Sequence, residues 1–334
     1  MAKEEMADRY FDDAHEKFGS LLGEQGYDSE AQKFQIQVLD ARSRILGEDH
    51  PDTVSALNNI AVRYQSLGKY ADSEKLQIKV QDLSNRLLGA QHPDTIMAMG
   101  NLAATYETLG KYADAEKLQI QVLDMSNRLL GEEHPHTLIA MSNIAITYKS
   151  LGKFADAEKL QIKVLDLRNR LLGEEHPDTI MAMSNLANTY QSLGKYADAE
   201  NLQMQVLDMR NRLLGEEHPN TIWGMAMGNL AATYRSLGKH TDAEKLEIKV
   251  LHMTSKVFGQ EDPDTINAME NLAITFYYLQ KYKDATRLEA QVVDVRKTIF
   301  GAEHPQTIKA IALLAAIRSE ANTNTLYIGE FYLL

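Results

Sequence analysis

The sequence predicts an all-α fold, a right-handed α-solenoid of antiparallel helix pairs. Three observations carry that reading. First, a 42-residue unit recurs, with its proline at Pro51, Pro93, Pro135, Pro177, Pro219, Pro263 and Pro305; five of the six intervals are 42 residues and the fifth is 44. Second, the copies are nearly the same, residues 93–134 and 177–218 sharing 35 of 42 positions. Third, each copy holds two stretches with apolar residues at helical spacing, divided by a short turn. A fixed period of this size marks a stacked array, in which each unit buries its apolar surface on its neighbours and no single large core is needed.

Taken in order, residues 1–22 read as an amphipathic capping helix, and residues 1–50 as that cap plus a half-repeat. Six full repeats of 42–44 residues fill 51–304. In the copy at 93–134 the first helix covers about Pro93–Leu109, with Ile96, Met99, Leu102, Ala103 and Tyr106 on one face. Pro93 stands in the first turn, where a missing N–H costs nothing. His92 is the expected N-cap; Asp262, a good capping residue, takes that place in the sixth full repeat. Gly110 is expected to stop the helix in the left-handed conformation. The second helix covers about Tyr112–Leu130, buries Ala115, Leu118, Val122 and Leu123, and ends at Gly131. Gln280 replaces the mid-turn glycine in the last copy. Residues 305–320 read as one more first helix that caps the array, and 321–334 as an apolar tail.

Bulk composition narrows the function. The formal charge is −12, with 47 acidic against 35 basic residues and no basic stripe, so nucleic acid and anionic membrane are poor partners and a mildly basic or apolar protein fits better. No apolar run approaches the roughly 20 residues that cross a bilayer. The N-terminus is acidic and lacks the pattern of a secretory signal. There are no cysteines, which excludes disulfides, thiolate zinc sites and cysteine catalysis and fits a reducing, cytoplasmic setting. Six histidines recur once per repeat (His50, His92, His134, His176, His218, His304), too far apart to share one ion, since stacking separates neighbours by on the order of 20 Å. Capping explains them, and no metal or cofactor is expected. Asp114, Glu116 and Lys117, with their copies, read as a solvated face. A catalyst needs a unique, asymmetric constellation, whereas nearly every polar residue here recurs, so no enzyme is expected.

The order Leu102-Ala103, Tyr106, Gly110, Tyr112, Ala115 resembles the packing code of the tetratricopeptide repeat. The 42-residue period and the LGEEHPDT connector resemble the kinesin light chain type, and the phrasing NLAATY–LGKYADAEKLQIQVLD–RLLGEEHPDT is similar to arrays at the C-termini of fungal NACHT and NB-ARC signalling proteins. The resemblance covers about residues 26–318. One departure is the column Gln77, Gln119, Gln161, Gln203, Glu247, Glu289, where the family often has an aromatic; a looser or wetter helix contact is expected there. No GxxxxGK[ST] occurs, and the recurring Leu-Gly-Lys is a helix turn, not a phosphate cradle.

The resemblance implies that first helices line a concave groove. One column there is Asn58, Gly100, Ser142, Ser184, Gly228, Glu270. The next is asparagine without exception: Asn59, Asn101, Asn143, Asn185, Asn229, Asn271. An amide that both donates and accepts can hold the backbone of an extended peptide, or each Asn can bond the preceding repeat instead. Varying columns are expected to set specificity: Ser55, Met97, Ile139, Met181, Met225, Asn267; then Val62, Ala104, Ile146, Asn188, Ala232, Ile274; then Gln65, Glu107, Lys149, Gln191, Arg235, Tyr277. The apolar, methionine-rich middle suits Leu-, Met- or aromatic-like anchors, because methionine surfaces adapt. Some of these methionines can equally pack between repeats. Lys149 and Arg235 are the only candidates for a carboxylate clamp and lie two repeats apart.

Trp223, the single tryptophan, lies in the single insertion; it reads either as a hot-spot aromatic at a kink or as padding of a longer connector. The tail residues Tyr327, Ile328, Phe331, Tyr332 and Leu334 are expected to dock on the last helix or on a neighbouring molecule. The sequence thus describes a non-catalytic scaffold that binds a peptide or protein segment in its groove. The alternative is a ligand-sensing or self-associating repeat segment of a larger signalling protein, with self-association through the C-terminal tail.

Overall fold

A computed structural model of the chain describes residues 17–18, 21–22, 27–214 and 221–331, with the side chains of 28–29, 214, 221–225 and 322–331 outside that description. The 215–220 connector, His218, the Met225 and Trp223 side chains, the 1–16 part of the expected cap and the tail side chains therefore lie outside the described residues. Among the described residues from Asp28 on, fourteen helices follow one another: α1 (Asp28–Leu46), α2 (Pro51–Ser66), α3 (Tyr70–Leu88), α4 (Pro93–Thr108), α5 (Tyr112–Leu130), α6 (Pro135–Ser150), α7 (Phe154–Leu172), α8 (Pro177–Ser192), α9 (Tyr196–Leu214), α10 (Thr221–Ser236), α11 (His240–Phe258), α12 (Pro263–Tyr278), α13 (Tyr282–Phe300) and α14 (Pro305–Phe331). They fall into two compact units, residues 1–167 and 168–334. Within the first, α1 to α6 pack in sequence, each on the next; within the second, α8 to α14 do the same.

The helix boundaries follow from local chemistry. His50, His92, His134 and His176 each accept, through Nδ1, the N–H two residues on at 3.2 Å, and Asp262 does so through Oδ1 at 2.9 Å. His304 caps α14 in the same way at 3.3 Å. The recurring histidines are thus N-caps. At the mid-turn, Gly110 takes φ +73°, its N–H donates to Glu107 O, and Lys111 N–H donates to Tyr106 O at 2.8 Å. That pair of bonds is the Schellman ending. Gln280 keeps the same turn at φ +59°, the single non-glycine with positive φ among the described residues.

A device the periodicity does not announce holds the connectors. In three repeats the threonine two residues after the proline turns back on the end-turn glycine: Thr53, Thr95 and Thr137 donate to the carbonyls of Gly47, Gly89 and Gly131 at 2.8, 2.9 and 2.8 Å. Those three connectors are therefore bonded to themselves.

Burial follows the predicted faces. In the first unit Val54 and Leu57 of α2, Val80 and Leu83 of α3, and Ala98 of α4 form one buried cluster. Each large side chain so covered contributes about 1.5–3 kcal/mol. Ala115 is fully buried where two helices approach closely, and Ser73 at the same place donates to Ala61 O at 2.7 Å. The looser contact expected at the glutamine column is not found. Gln77 is 1 % exposed, and the Thr105 hydroxyl on α4 donates to its Oε1 at 2.5 Å, while Gln65 Nε2 on α2 donates to that hydroxyl. Three helices meet there in a buried polar network, although Gln77 Nε2 itself finds no partner.

Two other details depart from expectation. Asp114 and Lys117 are exposed and paired at 3.2 Å, but Glu116 is not simply solvated: Lys153 of the next repeat bonds it at 2.6 Å. At the C-terminal end the helix does not stop at residue 320, where the cap was expected to end, but continues to Phe331.

Candidate functional site

In the first unit the candidate surface is built from α2, α4 and α6. Pro51, Pro93 and Pro135 start these helices at the same register, so residues 42 apart share a face. Met97 and Ile139 lie exposed, at 54 % and 50 %, with Val62 beside them at 43 %. Between them Asn59 and Asn101 are half-buried and Asn143 is exposed. Asn101 Nδ2 donates to Asn58 Oδ1 at 3.0 Å, which joins two successive first helices. This asparagine bonds the preceding repeat, whereas Asn143 offers its amide to solvent. Lys149 is half-buried on α6.

A cleft of about 100 Å³ opens on this surface between α2, α3 and α4. Val54 and Val80 line it, Ser84 adds a hydroxyl, and Ser55, Asn58, Asp94 and Met97 complete it. Three members of the expected groove columns therefore border one cavity.

In the second unit Met181 is 48 % exposed on α8, and Asn185, Asn188, Asn229 and Asn271 are half-buried. Arg235 does not point out as a free cation. It pairs with the buried carboxylate of Glu247 on α11, and its Nη2 donates to Asn271 Oδ1 at 3.3 Å. Gln191, one repeat earlier, donates to Thr233 Oγ1 at 2.5 Å and to Asn229 O at 3.1 Å. The column expected to contact a partner through its third variable position is here the upper edge of the internal polar network. Tyr277 is half-buried and edge-on to Tyr278 and Tyr282, at centroid distances of 5.7 and 5.9 Å.

Electrostatics concentrate at two buried acids that replace glutamine. Burial pushes the Glu247 carboxyl up to about 7, against the opposing pull of Arg235 and a Thr275 hydrogen bond. Glu289 is fully buried and neither of its oxygens has a hydrogen-bond partner; burial, reinforced by Glu270 and opposed by Arg296, pushes it to about 8. Ile317 stands where Thr105 and Thr233 donate to the glutamine of the preceding repeat, so Glu289 lacks that hydroxyl. Burial likewise raises Glu107 above the ordinary carboxylate range.

One variable column lies on the second helices, apart from the first-helix columns. Second helices carry, at one position, Arg42, Ser84, Ser126, Arg168, Arg210, Thr254 and Arg296. Arg42, Arg168 and Arg296 are buried and donate to the carbonyls of Asp52, Asp178 and Gln306 at 3.2, 2.8 and 3.4 Å. The signal that marks it is disagreement between copies, arginine against a small hydroxyl.

The helix pairs, their caps and their mid-turns define an array protein, and comparison gives the family. The tetratricopeptide repeat model matches residues 10–74, 55–125, 101–161, 137–212 and 224–298. The chain belongs to the tetratricopeptide repeat family. Among solved structures it is similar to a putative kinesin light chain with nearly identical TPR-like repeats from Podosopora anserina, at 24% identity over 63% of this chain and 98% of that one, TM-score 0.55. BtubC (BKLC) from P. vanneervenii is similar at 20% identity over 72% of this chain and 93% of that one, TM-score 0.55. A signal transduction ATPase (STAND) protein with a tetratricopeptide repeat sensor from Pyrococcus horikoshii aligns at 13% identity over 98% of this chain and 47% of that one, TM-score 0.64. At these identities the likeness concerns the fold. No protein of curated function matches the sequence.

Proposed function

We propose that the chain is a non-catalytic interaction module, cytoplasmic, that holds an extended protein segment on the face made by its first helices. The observation that carries this is the row of exposed Met97 and Ile139 set among Asn59, Asn101 and Asn143. Large apolar side chains at 50 % exposure or more on a helix face next to amides suit a segment that gives its backbone to asparagine and its side chains to the gaps. In this reading the binding face of the first unit comprises Asn59, Asn101, Asn143, Met97, Ile139 and Lys149. Its counterpart in the second comprises Asn185, Asn188, Asn229, Asn271, Met181, Met225, Arg235 and Tyr277, with Arg235 acting through Asn271.

The test is selection of dodecapeptides from a random library on the intact chain, followed by affinities for Met97→Asp and Asn143→Ala. Selected peptides are expected to lose about tenfold or more in each variant, the size of an anchor or a hydrogen bond removed from a bound backbone. Equal binding by wild type and both variants would overturn the reading.

A second reading, a sensing or self-associating segment, draws on one observation. Ile308 and Ile311 of α14 are 50 % and 39 % exposed, although Met99, the counterpart of Ile311 in a complete repeat, is 4 % exposed. Sedimentation across a hundredfold concentration range discriminates: a concentration-independent monomer leaves only the groove.

A further inference from the structure

We infer that the Ser84 cleft is a receptor for the guanidinium side chain of an arginine carried by a partner protein segment. The inference rests on the reading of this face as a partner-binding surface and names the chemistry of one anchor. The chain's own arginines at the equivalent place in other repeats point to it.

Where the second helix carries arginine, the side chain turns in toward the next first helix. Arg42, Arg168 and Arg296 are 8 %, 4 % and 4 % exposed. Each guanidinium reaches the carbonyl of the second residue of the next first helix. Arg296 also bonds Glu270 at 2.8 and 3.0 Å and Asn267 Oδ1 at 3.4 Å. By the repeat register, Glu270 and Asn267 correspond to Asn58 and Ser55, and Gln306 corresponds to Asp94.

Ser84 removes the arginine and keeps its surroundings. The cleft of about 100 Å³ has Val54, Val80 and Met97 along its sides, apolar surface suited to an aliphatic stem. Asp94 stands where all three arginines find a carbonyl, and Ser55 and Asn58 stand at the two positions that Arg296 also bonds. A guanidinium is planar and forked and can satisfy several acceptors at once, which the compact ammonium of lysine does less well. An aliphatic side chain of the same length would fill the stem region and offer the Asp94 carbonyl no side-chain donor. The formal charge of −12 draws cationic segments toward the surface.

The experiment follows amide shifts of Ser84, Asp94 and Met97 in the intact chain during titration with Ac-Ala-Leu-Arg-Leu-Ala-NH2. The same peptide with citrulline, and with norleucine, in place of arginine is titrated in parallel. Citrulline keeps the shape and removes the charge. The Ser84→Arg variant places in the cleft the side chain that three other repeats already hold, and its thermal unfolding is expected to match wild type or exceed it. The arginine peptide is expected to shift these amides and to bind about tenfold or more tightly than either counterpart, and Ser84→Arg to abolish the effect. Equal binding of the three peptides, or no shift at Ser84 and Asp94 with the arginine peptide, overturns the inference from wild type alone, whatever the variant does. If all three peptides bind equally and lose affinity in Asn143→Ala but not in Ser84→Arg, the arginine receptor falls and the groove reading stands.

Discussion

Arg235 is paired with the buried carboxylate of Glu247, across the turn that joins α10 to α11, and completes the same three-helix network that Gln191, Gln203 and Thr233 make one repeat earlier. The two networks differ by a charge pair and share a geometry. Arg235→Ala is expected to cost about 2–4 kcal/mol, because it leaves a buried acid with only Thr275 beside it. The double change Arg235→Gln with Glu247→Gln rebuilds the neutral network and is expected within about 1 kcal/mol of wild type, since a buried ion pair gains little over a well-packed neutral replacement. Urea unfolding of the three proteins checks both. If the double variant is as unstable as the single one, the glutamine network is not transferable between repeats.

Glu289 sets a pH dependence of definite sign. Its folded-state value is raised from 4.5 to about 8, mainly by burial, so the folded chain holds a proton that the unfolded chain releases above about 4.5. The contribution is complete below that value, declines as pH rises, and is lost as pH passes through about 8. Glu289→Gln, the residue found in five other copies, removes the ionisation. It is expected to stabilise the chain at about pH 9 by roughly 1–3 kcal/mol and to change little at about pH 4. The urea midpoint at both pH values is the readout, and a variant that tracks wild type at each would show that Glu289 is solvated.

The repeat architecture was legible because its signals are local. His92 at a cap, Gly110 at a left-handed turn and Gly131 at a helix end each act within a few residues, so sequence spacing alone locates them. Side-chain destination was less legible. Arg235 sits in a column that faces outward by register, yet its reach lets the head turn in to Glu247, and periodicity places a Cα without fixing where a long side chain ends. The asparagine column shows the same limit from another side. Asn101 bonds Asn58 while Asn143 is exposed, although the two occupy one position of the repeat. The Ser84 cleft was not legible because a serine in place of arginine on a second helix marks an empty space only once the neighbouring helices are in position.

Gln280 carries a backbone conformation that glycine supplies in the other described mid-turns. At φ +59° a side chain meets the following carbonyl, and the left-handed region costs an ordinary residue roughly 1–2 kcal/mol. The turn itself is intact, with Gln280 N–H on Tyr277 O and Lys281 N–H on Phe276 O, both at 2.9 Å. Gln280→Gly is therefore expected to raise stability by about 0.5–1 kcal/mol, the relief of strain being partly offset by glycine's greater freedom when unfolded. Gly238→Gln makes the reverse change one repeat earlier and is expected to lower it. Thermal unfolding of the two variants reads the sign, and equal effects in one direction would mean that φ is not what distinguishes the two turns.

Lys111 links successive repeats through two partners at once. Its Nζ lies 2.6 and 2.8 Å from the two carboxylate oxygens of Glu74 in the preceding repeat, and 5.6 Å from the ring centroid of Tyr106 in its own. The same arrangement recurs at Lys153 with Glu116 and Tyr148, and at Lys281 with Glu244 and Phe276. The hydrogen bond that Lys111 donates to Glu74 is the main cause that raises its ammonium above the ordinary value. An ion pair alone is indifferent to which side carries the charge, but a ring face attracts only the cation. Exchanging the charges with Glu74→Lys and Lys111→Glu restores the pair and sets a carboxylate over Tyr106. The exchanged protein is thus expected to remain less stable than wild type, and the deficit to shrink when Tyr106→Leu removes the ring from both backgrounds. A melting series at low and high salt separates the parts: added salt weakens the Glu74 contribution first, because that pair is exposed on its lysine side. Full recovery on charge exchange with Tyr106 in place would mean that the ring takes no part in joining the repeats.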